Sequence, residues 1–236
     1  MTFSGVISIP RPYDKEGAPS CGIYLVAPKK TSFNMMVAQL RVVFSALNGS
    51  RYQKNMHAIE FKFPKKIFEK ERTQATTLVN MCRAAGVVAI IRDDVSLCVE
   101  ADADGVILSE TDNVEVARKV LGNRAIVGLD CGNSREKAEL ALSSGFDYVV
   151  FSKFFAPSDA KKHADISLLE WWSSATHLPA VAFSKLDVNR CIDLAKAGAG
   201  FIGSDDWVWK HENGPKQAIY LLQEAIEHGL GKIQMN

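Results

Sequence analysis

The chain has 236 residues, of which 47% are apolar and 23% charged, as is ordinary for a globular protein of one large domain or two small ones. Its 28 basic and 27 acidic side chains leave a net charge of +1, which gives no support for a nucleic acid or a membrane surface as a partner. No run reaches the roughly 18 apolar residues that cross a bilayer, and the first residues lack the basic-then-apolar order of a secretory signal. We therefore expect a cytoplasmic protein.

The cysteines support the same compartment. There are five, an odd number, and no two of them form a C-x-x-C pair. Dispersed cysteines in a chain of this length are typical of reduced thiols buried in a core, rather than of a metal or redox site. We expect this of all five: Cys21, Cys82, Cys98, Cys131 and Cys191.

A repeating pattern predicts the strands. A turn of small residues, often with glycine, precedes a short apolar run that ends in polar residues, as in A-A-G-V-V-A-I-I-R-D from residue 84 and A-D-A-D-G-V-I-L-S-E from residue 101. Such runs suit strands that are buried on both faces. The pattern and its less regular copies predict eight strands: Ile23–Val26, Ala58–Phe63, Val87–Ile91, Val106–Leu108, Ala125–Leu129, Tyr148–Phe151, Ala180–Phe183 and Phe201–Gly203.

Helical patterns lie between these strands. Asp94 and Asp187 each have the position of a helix N-cap, and Asn133 with Glu136 has the spacing of a capping box. The predicted helices include Val95–Glu100, Arg135–Ser143, Leu168–Ala175 and Gln217–Glu227, and a further one that begins after Asp187.

Eight strand–helix alternations in about 210 residues predict an α/β protein with a (β/α)8 TIM barrel. A doubly wound open sheet is the alternative, but it normally has fewer strands and a glycine-rich phosphate loop, and no such motif is present. We expect residues 1–21 to form an irregular lead-in, residues 22–230 the barrel and residues 231–236 a tail.

In a barrel, the residues that follow the strands gather at one mouth, where the chemistry takes place. Carboxylates dominate these positions, and they are the hard oxygen ligands that Mg²⁺ prefers. Asp93 and Asp112 are the candidate metal ligands, although Asp112 with Glu115 also has capping-box spacing. The loop 157–164, which contains Lys161, has the composition of a lid. The mouth positions are Lys62, Arg92, Asp93, Asp94, Glu110, Asp112, Asp130, Ser152, Lys153, Ser184, Lys185, Asp205 and Asp206.

Several segments together resemble the thiamine phosphate synthase family. They are Y-L-V at residue 24, C-R-A-A-G-V-V-A-I-I-R-D-D-V-S-L at 82, A-D-A-D-G-V-I-L-S-E-T-D at 101 and A-I-V-G-L-D at 125. The likeness runs from about Ile23 to His228. It implies a (β/α)8 barrel that joins hydroxymethylpyrimidine pyrophosphate to thiazole phosphate, with Mg²⁺ helping pyrophosphate to leave.

The resemblance also assigns residues one by one. Asp93 and Asp112 match the two acidic metal-binding positions of the family. On the pyrophosphate side, Arg92 replaces an asparagine, Glu60 a glutamine and Asp130 a serine. The strand-two motif of the family, Q-L-R-x-K, corresponds to residues 60–64 here. Lys62 lies within this segment, but the lysine that ends the family motif is replaced by Pro64.

The thiazole phosphate side differs as well. Ser184 and Lys185 replace a pair of glycines, Asp206 beside Asp205 replaces a serine, and Lys161 is the candidate substitute in the loop after strand six. A carboxylate about 4 Å from a phosphate is repelled by roughly 4 kcal/mol at an effective dielectric near 20. Unless Lys185 neutralises these carboxylates, the differences predict weak binding of thiazole phosphate and little synthase activity.

Three functions remain open from the sequence, all with a small-molecule ligand. In the first, the protein is a synthase in which Mg²⁺ on Asp93 and Asp112 acts with Lys62, Arg92 and Lys161. The second is a non-catalytic paralogue that binds a small molecule, such as a cationic thiazolium or a pyrimidine, in an acidic mouth. The third is a different enzyme on the same scaffold. The oligomeric state, including a homo-oligomer, also remains open.

Overall fold

The structure, a computed structural model, describes residues 20–28, 31–48, 57–155 and 164–232. Eight parallel strands form a closed barrel in which each strand pairs with the next and β8 pairs with β1. The predicted (β/α)8 barrel is therefore confirmed. The strands are β1 (Gly22–Val26), β2 (His57–Phe61), β3 (Val88–Arg92), β4 (Gly105–Leu108), β5 (Ile126–Gly132), β6 (Tyr148–Phe154), β7 (Ala180–Ser184) and β8 (Phe201–Ser204).

Helices alternate with the strands and cover the outside of the barrel. A 3-10 turn, Thr111–Asn113, follows β4. The elements run from Gly22 to Gly229, whereas residues 1–19 of the predicted lead-in and 233–236 of the predicted tail lie outside the described residues. The helices are α1 (Phe33–Asn48), α2 (Glu69–Ala85), α3 (Val95–Ala101), α4 (Val114–Leu121), α5 (Arg135–Ser143), α6 (Ile166–Ala175), α7 (Val188–Lys196), α8 (Asp206–Trp209) and α9 (Gly214–Gly229).

Alternation along each strand produces two apolar layers, because successive side chains point to opposite faces. In β1, Ile23 and Leu25 belong to the layer between the barrel and the helices, whereas Tyr24 belongs to a separate cluster inside the barrel. The inner cluster consists of Tyr24, Ala58, Val88, Ile90, Ile107, Ile126, Tyr148, Val150, Val181 and Phe201.

A glycine makes room for the largest side chain of this inner cluster. A Cβ atom at Gly128 would lie 2.1 Å from a ring carbon of Tyr148. Such a contact is impossible without a shift of the ring or the strand. The absence of a side chain at Gly128 therefore allows Tyr148 to cross the barrel interior.

Helix starts follow the sequence prediction in two cases and differ in two. Asp94 accepts a hydrogen bond from Leu97 N at 2.8 Å, and Asp187 accepts one from Arg190 N at 2.9 Å, which confirms both caps. The cap of α5 is Ser134, which accepts from Lys137 N at 3.1 Å, so the assignment to Asn133 is wrong by one residue. Asp112 lies within the 3-10 turn and does not cap α4.

The strand ends differ most from the prediction where the ladder is irregular. β2 ends at Phe61 rather than Phe63, while β5 and β6 continue to Gly132 and Phe154. The register shifts between Asp130 and Gly132 and between Ser152 and Phe154. A bulge of this kind re-aims the neighbouring side chains, and both shifts lie at the mouth of the barrel.

All five cysteines are free and buried, as predicted. Burial raises the pKa of each thiol; for Cys98, Cys131 and Cys191 the pKa rises to about 12. These thiols are therefore protonated core groups at neutral pH. Within the described residues, no helix combines the length and the apolar composition that a membrane crossing requires.

Candidate active site

A cavity of about 860 Å³ opens at the carboxyl ends of the strands. It is the place where a parallel barrel positions its reactive side chains. The described lining contains four cations and four carboxylates besides apolar and hydroxyl groups, so the formal charges balance. The lining residues are Val26, Ala27, Pro28, Glu60, Lys62, Arg92, Asp130, Val150, Ser152, Phe183, Ser184, Lys185, Asp205, Asp206 and Lys210.

The floor of this cavity is an ion-pair network. Arg92 at the end of β3 donates from Nε and Nη2 to the two oxygens of Glu60 on β2, the second of these bonds being 3.1 Å long. Its Nη1 donates to Oδ2 of Asp130 on β5 at 2.9 Å. The side chain of Glu60 is only 1% exposed, so the carboxylate of this ion pair is almost completely removed from water. We call Glu60, Arg92 and Asp130 the floor triad.

Two tyrosine hydroxyls extend the triad into the barrel. Tyr24 donates its O–H to Glu60 Oε2 at 3.0 Å, and its oxygen lies 3.2 Å from the hydroxyl of Tyr148. Burial, followed by the charge of Glu60, raises the pKa of Tyr24, and burial likewise raises the pKa of Tyr148. Burial opposes the charge on Arg92, but the hydrogen bonds and charges of Glu60 and Asp130 raise its pKa. The network therefore holds a permanent cation and neutral phenols.

The rim carries the remaining charges. Lys62 after β2 and Lys185 after β7 are exposed, and neither side chain has an ion pair or hydrogen bond within the described part of the chain. Asp206 is paired with Lys210 Nζ at 2.7 Å, and Asp205 accepts a hydrogen bond from Asp206 N at 2.6 Å. The expectation that Lys185 neutralises Asp206 is wrong, because Lys210 lies one helical turn beyond Asp206 and reaches it first.

Asp93 and Asp112, the predicted metal ligands, do not line this cavity. Asp93 has a φ of 55°, and its carboxylate accepts hydrogen bonds from N and Oγ of Ser109 at 2.7 and 2.8 Å, which joins the ends of β3 and β4. Asp112 is exposed, with Oδ1 3.3 Å from the Thr111 hydroxyl. The described residues contain no cluster of three or more potential metal ligands from His, Cys, Asp and Glu.

Ser184 lies on the β7 side of the cavity. Its hydroxyl donates to the carbonyl of Phe154 at 3.0 Å and thereby joins the ends of β6 and β7. Phe155, the residue after Phe154, has a φ of 55°, which is unusual for an aromatic residue. The loop predicted as a lid, residues 157–164, begins two residues after Phe155, and Lys161 lies outside the described residues.

The structure thus brings together Glu60, Lys62, Arg92, Asp130, Ser184, Lys185, Asp205 and Asp206 from the predicted site. Sequence reasoning missed Tyr24 and Tyr148, although alternation from the mouth back along β1 and β6 places both inside the barrel. It also missed Lys210, whose signal was its i+4 spacing from Asp206.

A closed parallel barrel with a charged cavity at its carboxyl-terminal mouth places this protein in the class of (β/α)8 barrels. The family described as Thiamine monophosphate synthase matches residues 23–204. This chain belongs to that family.

Individual relatives agree. The chain is 40% identical over 151 residues to a thiamine-phosphate synthase of Hyphomonas neptunium, covering 62% of this chain and 68% of that protein. It is 30% identical over 208 residues to one of Xylella fastidiosa, covering 87% and 84%. In structure it is similar to a thiamine phosphate pyrophosphorylase of Pyrococcus furiosus, with a TM-score of 0.71 at 23% identity over 89% of this chain and 97% of the other. The structural likeness supports the fold.

Proposed function

We propose that this protein is a transferase of the thiamine phosphate synthase type, which joins hydroxymethylpyrimidine pyrophosphate to thiazole phosphate and releases pyrophosphate. The observation that carries the proposal is that two lysine side chains at the rim of a cavity of about 860 Å³, Lys62 and Lys185, have no ion-pair partner within the described residues. Small-molecule sites commonly have volumes of about 300 to 1,000 Å³, so two small heterocycles have room there. Membership of the family supports the same reaction.

The proposed roles follow from which charges are free. Lys62 and Lys185 donate to phosphate oxygens, with Lys161 as a proposed third cation from the loop after β6. The guanidinium of Arg92 already donates three hydrogen bonds to Glu60 and Asp130, so we assign it a positioning role for these carboxylates. Ser184 and the carboxylates Asp205 and Asp206 complete the rim around the thiazole phosphate. The buried, reduced cysteines support a cytoplasmic setting for this chemistry.

Mg²⁺ held by Asp93 and Asp112 is part of the proposal because the family resemblance assigns these two positions to the metal, although neither carboxylate lines the described cavity. Each oxygen of Asp93 accepts one hydrogen bond from Ser109 and keeps a second lone pair, while Asp112 is exposed. This suits Mg²⁺, which usually takes one or two protein carboxylates and completes its shell with waters and substrate phosphates. When bound, the ion would neutralise charge on the departing pyrophosphate.

A second candidate function is non-catalytic binding of a small molecule. The observation that favours it is the floor triad, because Glu60 and Asp130 place two carboxylates where the resembling family has neutral side chains. Their charges oppose an anionic group that approaches the floor.

The test is a turnover assay with both substrates and Mg²⁺, in which thiamine phosphate is detected directly. We expect magnesium-dependent turnover, because Lys210 neutralises Asp206 and removes one of the repulsions that predicted little activity. Lys62→Met and Lys185→Met should each lose about tenfold or more in kcat/KM, because each variant removes a phosphate donor. The matched control is Lys119→Met, an exposed lysine on α4 away from the mouth, which should retain the parent kcat/KM. Absence of thiamine phosphate at any enzyme concentration would refute the synthase proposal and favour the binding function.

A further inference from the structure

The charges of the mouth separate by depth. The floor triad has one cation and two carboxylates, so its formal charge is −1. At the rim, the Asp206–Lys210 pair is neutral, Asp205 is negative, and the side chains of Lys62 and Lys185 have no partner within the described residues, so the formal charge of the rim is +1. A ligand that enters the cavity therefore meets positive charge first and negative charge last.

Asp130 is the member of the triad that a ligand reaches. Its side chain is 29% exposed, compared with 14% for Arg92 and 1% for Glu60. Its Oδ2 accepts from Arg92 and its Oδ1 accepts from Gly132 N at 3.2 Å. A carboxylate oxygen has two lone pairs, so each oxygen of Asp130 keeps one free acceptor site.

Three apolar side chains, which we call the apolar wall, line the cavity beside the floor triad. Val26 at the end of β1, Val150 on β6 and Phe183 on β7 all line the cavity. Phe183 also packs edge-on against Tyr24, with ring centroids 5.8 Å apart, so its ring is held in place from below. A planar ring can pack against this wall with one edge towards Asp130.

We propose that Asp130 forms a cation-accepting subsite, and that the ligand which fills the mouth is bipolar. Its buried end is a positively charged nitrogen heterocycle that packs against the apolar wall, and its outer end is a phosphate held by Lys62 and Lys185. This inference rests on the proposed function because both place the ligand in the same cavity. It predicts the charge of the ligand that binds there, and turnover does not enter it.

The physical reason is the cost of burying a charge without its counter-charge. A neutral ring leaves the net −1 of the floor partly desolvated and uncompensated, whereas a cationic ring compensates it. A phosphate placed at the floor would add a second negative charge to a region of low dielectric. The orientation with the phosphate outermost is therefore favoured.

Two probes that differ by one charge test the subsite. Thiazole phosphate and N-methylthiazolium phosphate have nearly the same shape, but only the second has a cationic ring. Calorimetric titration of the full chain should give a dissociation constant for the thiazolium about tenfold or more below that for the neutral thiazole. Equal affinities, a preference for the neutral ring, or no binding of either probe at millimolar concentration would overturn the proposal.

Variants separate the two ends of the ligand. Asp130→Asn removes the extra charge while keeping the size of the side chain, and it should reduce the preference to less than about threefold; Asp130→Ser should do the same. Lys185→Met should weaken both probes by a similar factor and leave their ratio unchanged. The control is Asp206→Asn, a rim carboxylate already paired with Lys210, which should also leave the ratio unchanged.

Two results contradict the assignment directly. Retention of the full preference in both Asp130 variants would show that another group sets it, and loss of the preference in Asp206→Asn would show that overall charge sets it. The proposed synthase activity is scored separately by turnover. Preference without turnover would retain the cation subsite and reject the synthase, whereas turnover without preference would do the reverse.

Discussion

The lower and upper halves of the barrel interior are built by the same strands but have opposite character. In the lower half, apolar side chains and two tyrosines fill the space and leave a void of only about 20 Å³. In the upper half the same strands surround a cavity of about 860 Å³ lined by charged groups. The contrast shows that the packed core and the candidate site of this barrel are successive layers along the same strands.

A two-residue step along a strand separates the layers, because every second side chain points inward. In β2 the step leads from Ala58 to Glu60, and in β3 from Ile90 to Arg92. In β5 it leads from Gly128 to Asp130. Substitutions in each layer should therefore act in different ways.

The largest expected effect is in the upper layer. Arg92→Met leaves Glu60 and Asp130 as uncompensated carboxylates, one of them 1% exposed, and should lower the free energy of unfolding by about 3 to 5 kcal/mol. Urea denaturation measures this loss. Replacing Glu60 by Gln and Asp130 by Asn in the same chain should restore most of the stability.

The matched control is Glu139→Gln, which breaks the exposed ion pair of Glu139 with Arg135. Disruption of that pair should cost less than about 1 kcal/mol. A loss of similar size in both variants would show that the floor triad contributes no more than a surface ion pair.

The second prediction concerns acid and the lower end of the barrel. His57 is buried, its Nδ1 accepts from Ile23 N at 3.2 Å, and its Nε2 has no hydrogen-bond partner among the residues that the structure describes. Burial lowers the pKa of His57 from 6.5 to about 4. Between these values the unfolded chain binds the proton and the folded chain does not, so stability is lost as the pH falls from 6.5 towards 4, by about 3 kcal/mol in total.

Denaturation curves between pH 7 and pH 4 test this loss. His57→Gln should flatten the pH dependence in that window, whereas His177→Gln, at an exposed position, should keep the dependence of the parent protein. An unchanged slope in His57→Gln would assign the acid sensitivity to other groups.

The third prediction tests how tightly the interior is filled below the cavity. Gly128→Ala places a methyl group 2.1 Å from the ring of Tyr148, and the resulting overpacking should cost about 1 to 3 kcal/mol. The melting temperature of the variant measures the effect. Adding Tyr148→Val, which removes the clashing ring, should recover part of the loss if the clash is its cause.

The smallest effect on stability is expected at the rim. The Asp206–Lys210 pair is exposed, so Asp206→Asn should change the free energy of unfolding by less than about 1 kcal/mol. The substitution frees Lys210, however, and should strengthen the binding of inorganic pyrophosphate several-fold in calorimetric titration. Weaker binding of pyrophosphate in this variant would show that Lys210 does not face the bound anion.

The sequence by itself determined the barrel and the positions at its mouth. Apolar runs such as Val87–Ile91 and Val106–Leu108 are typical of buried parallel strands, and a polar residue directly after such a run lies at the strand end. The caps Asp94 and Asp187 were also predictable, because an N-cap hydrogen bond joins residues only three apart.

Only the tertiary structure decided which charges neutralise one another. Glu60, Arg92 and Asp130 are separated by 32 and 38 residues in the chain, yet closure of the barrel joins them in one network. The sequence suggested Lys185 as a counter-charge for Asp206, but Lys210, directly after the short helix α8, forms the ion pair. Asp93 was positioned correctly at a strand end, and its contact with Ser109 depends on the neighbouring strand. Ion pairing depends on distances across the barrel, and these are fixed by its closure and register.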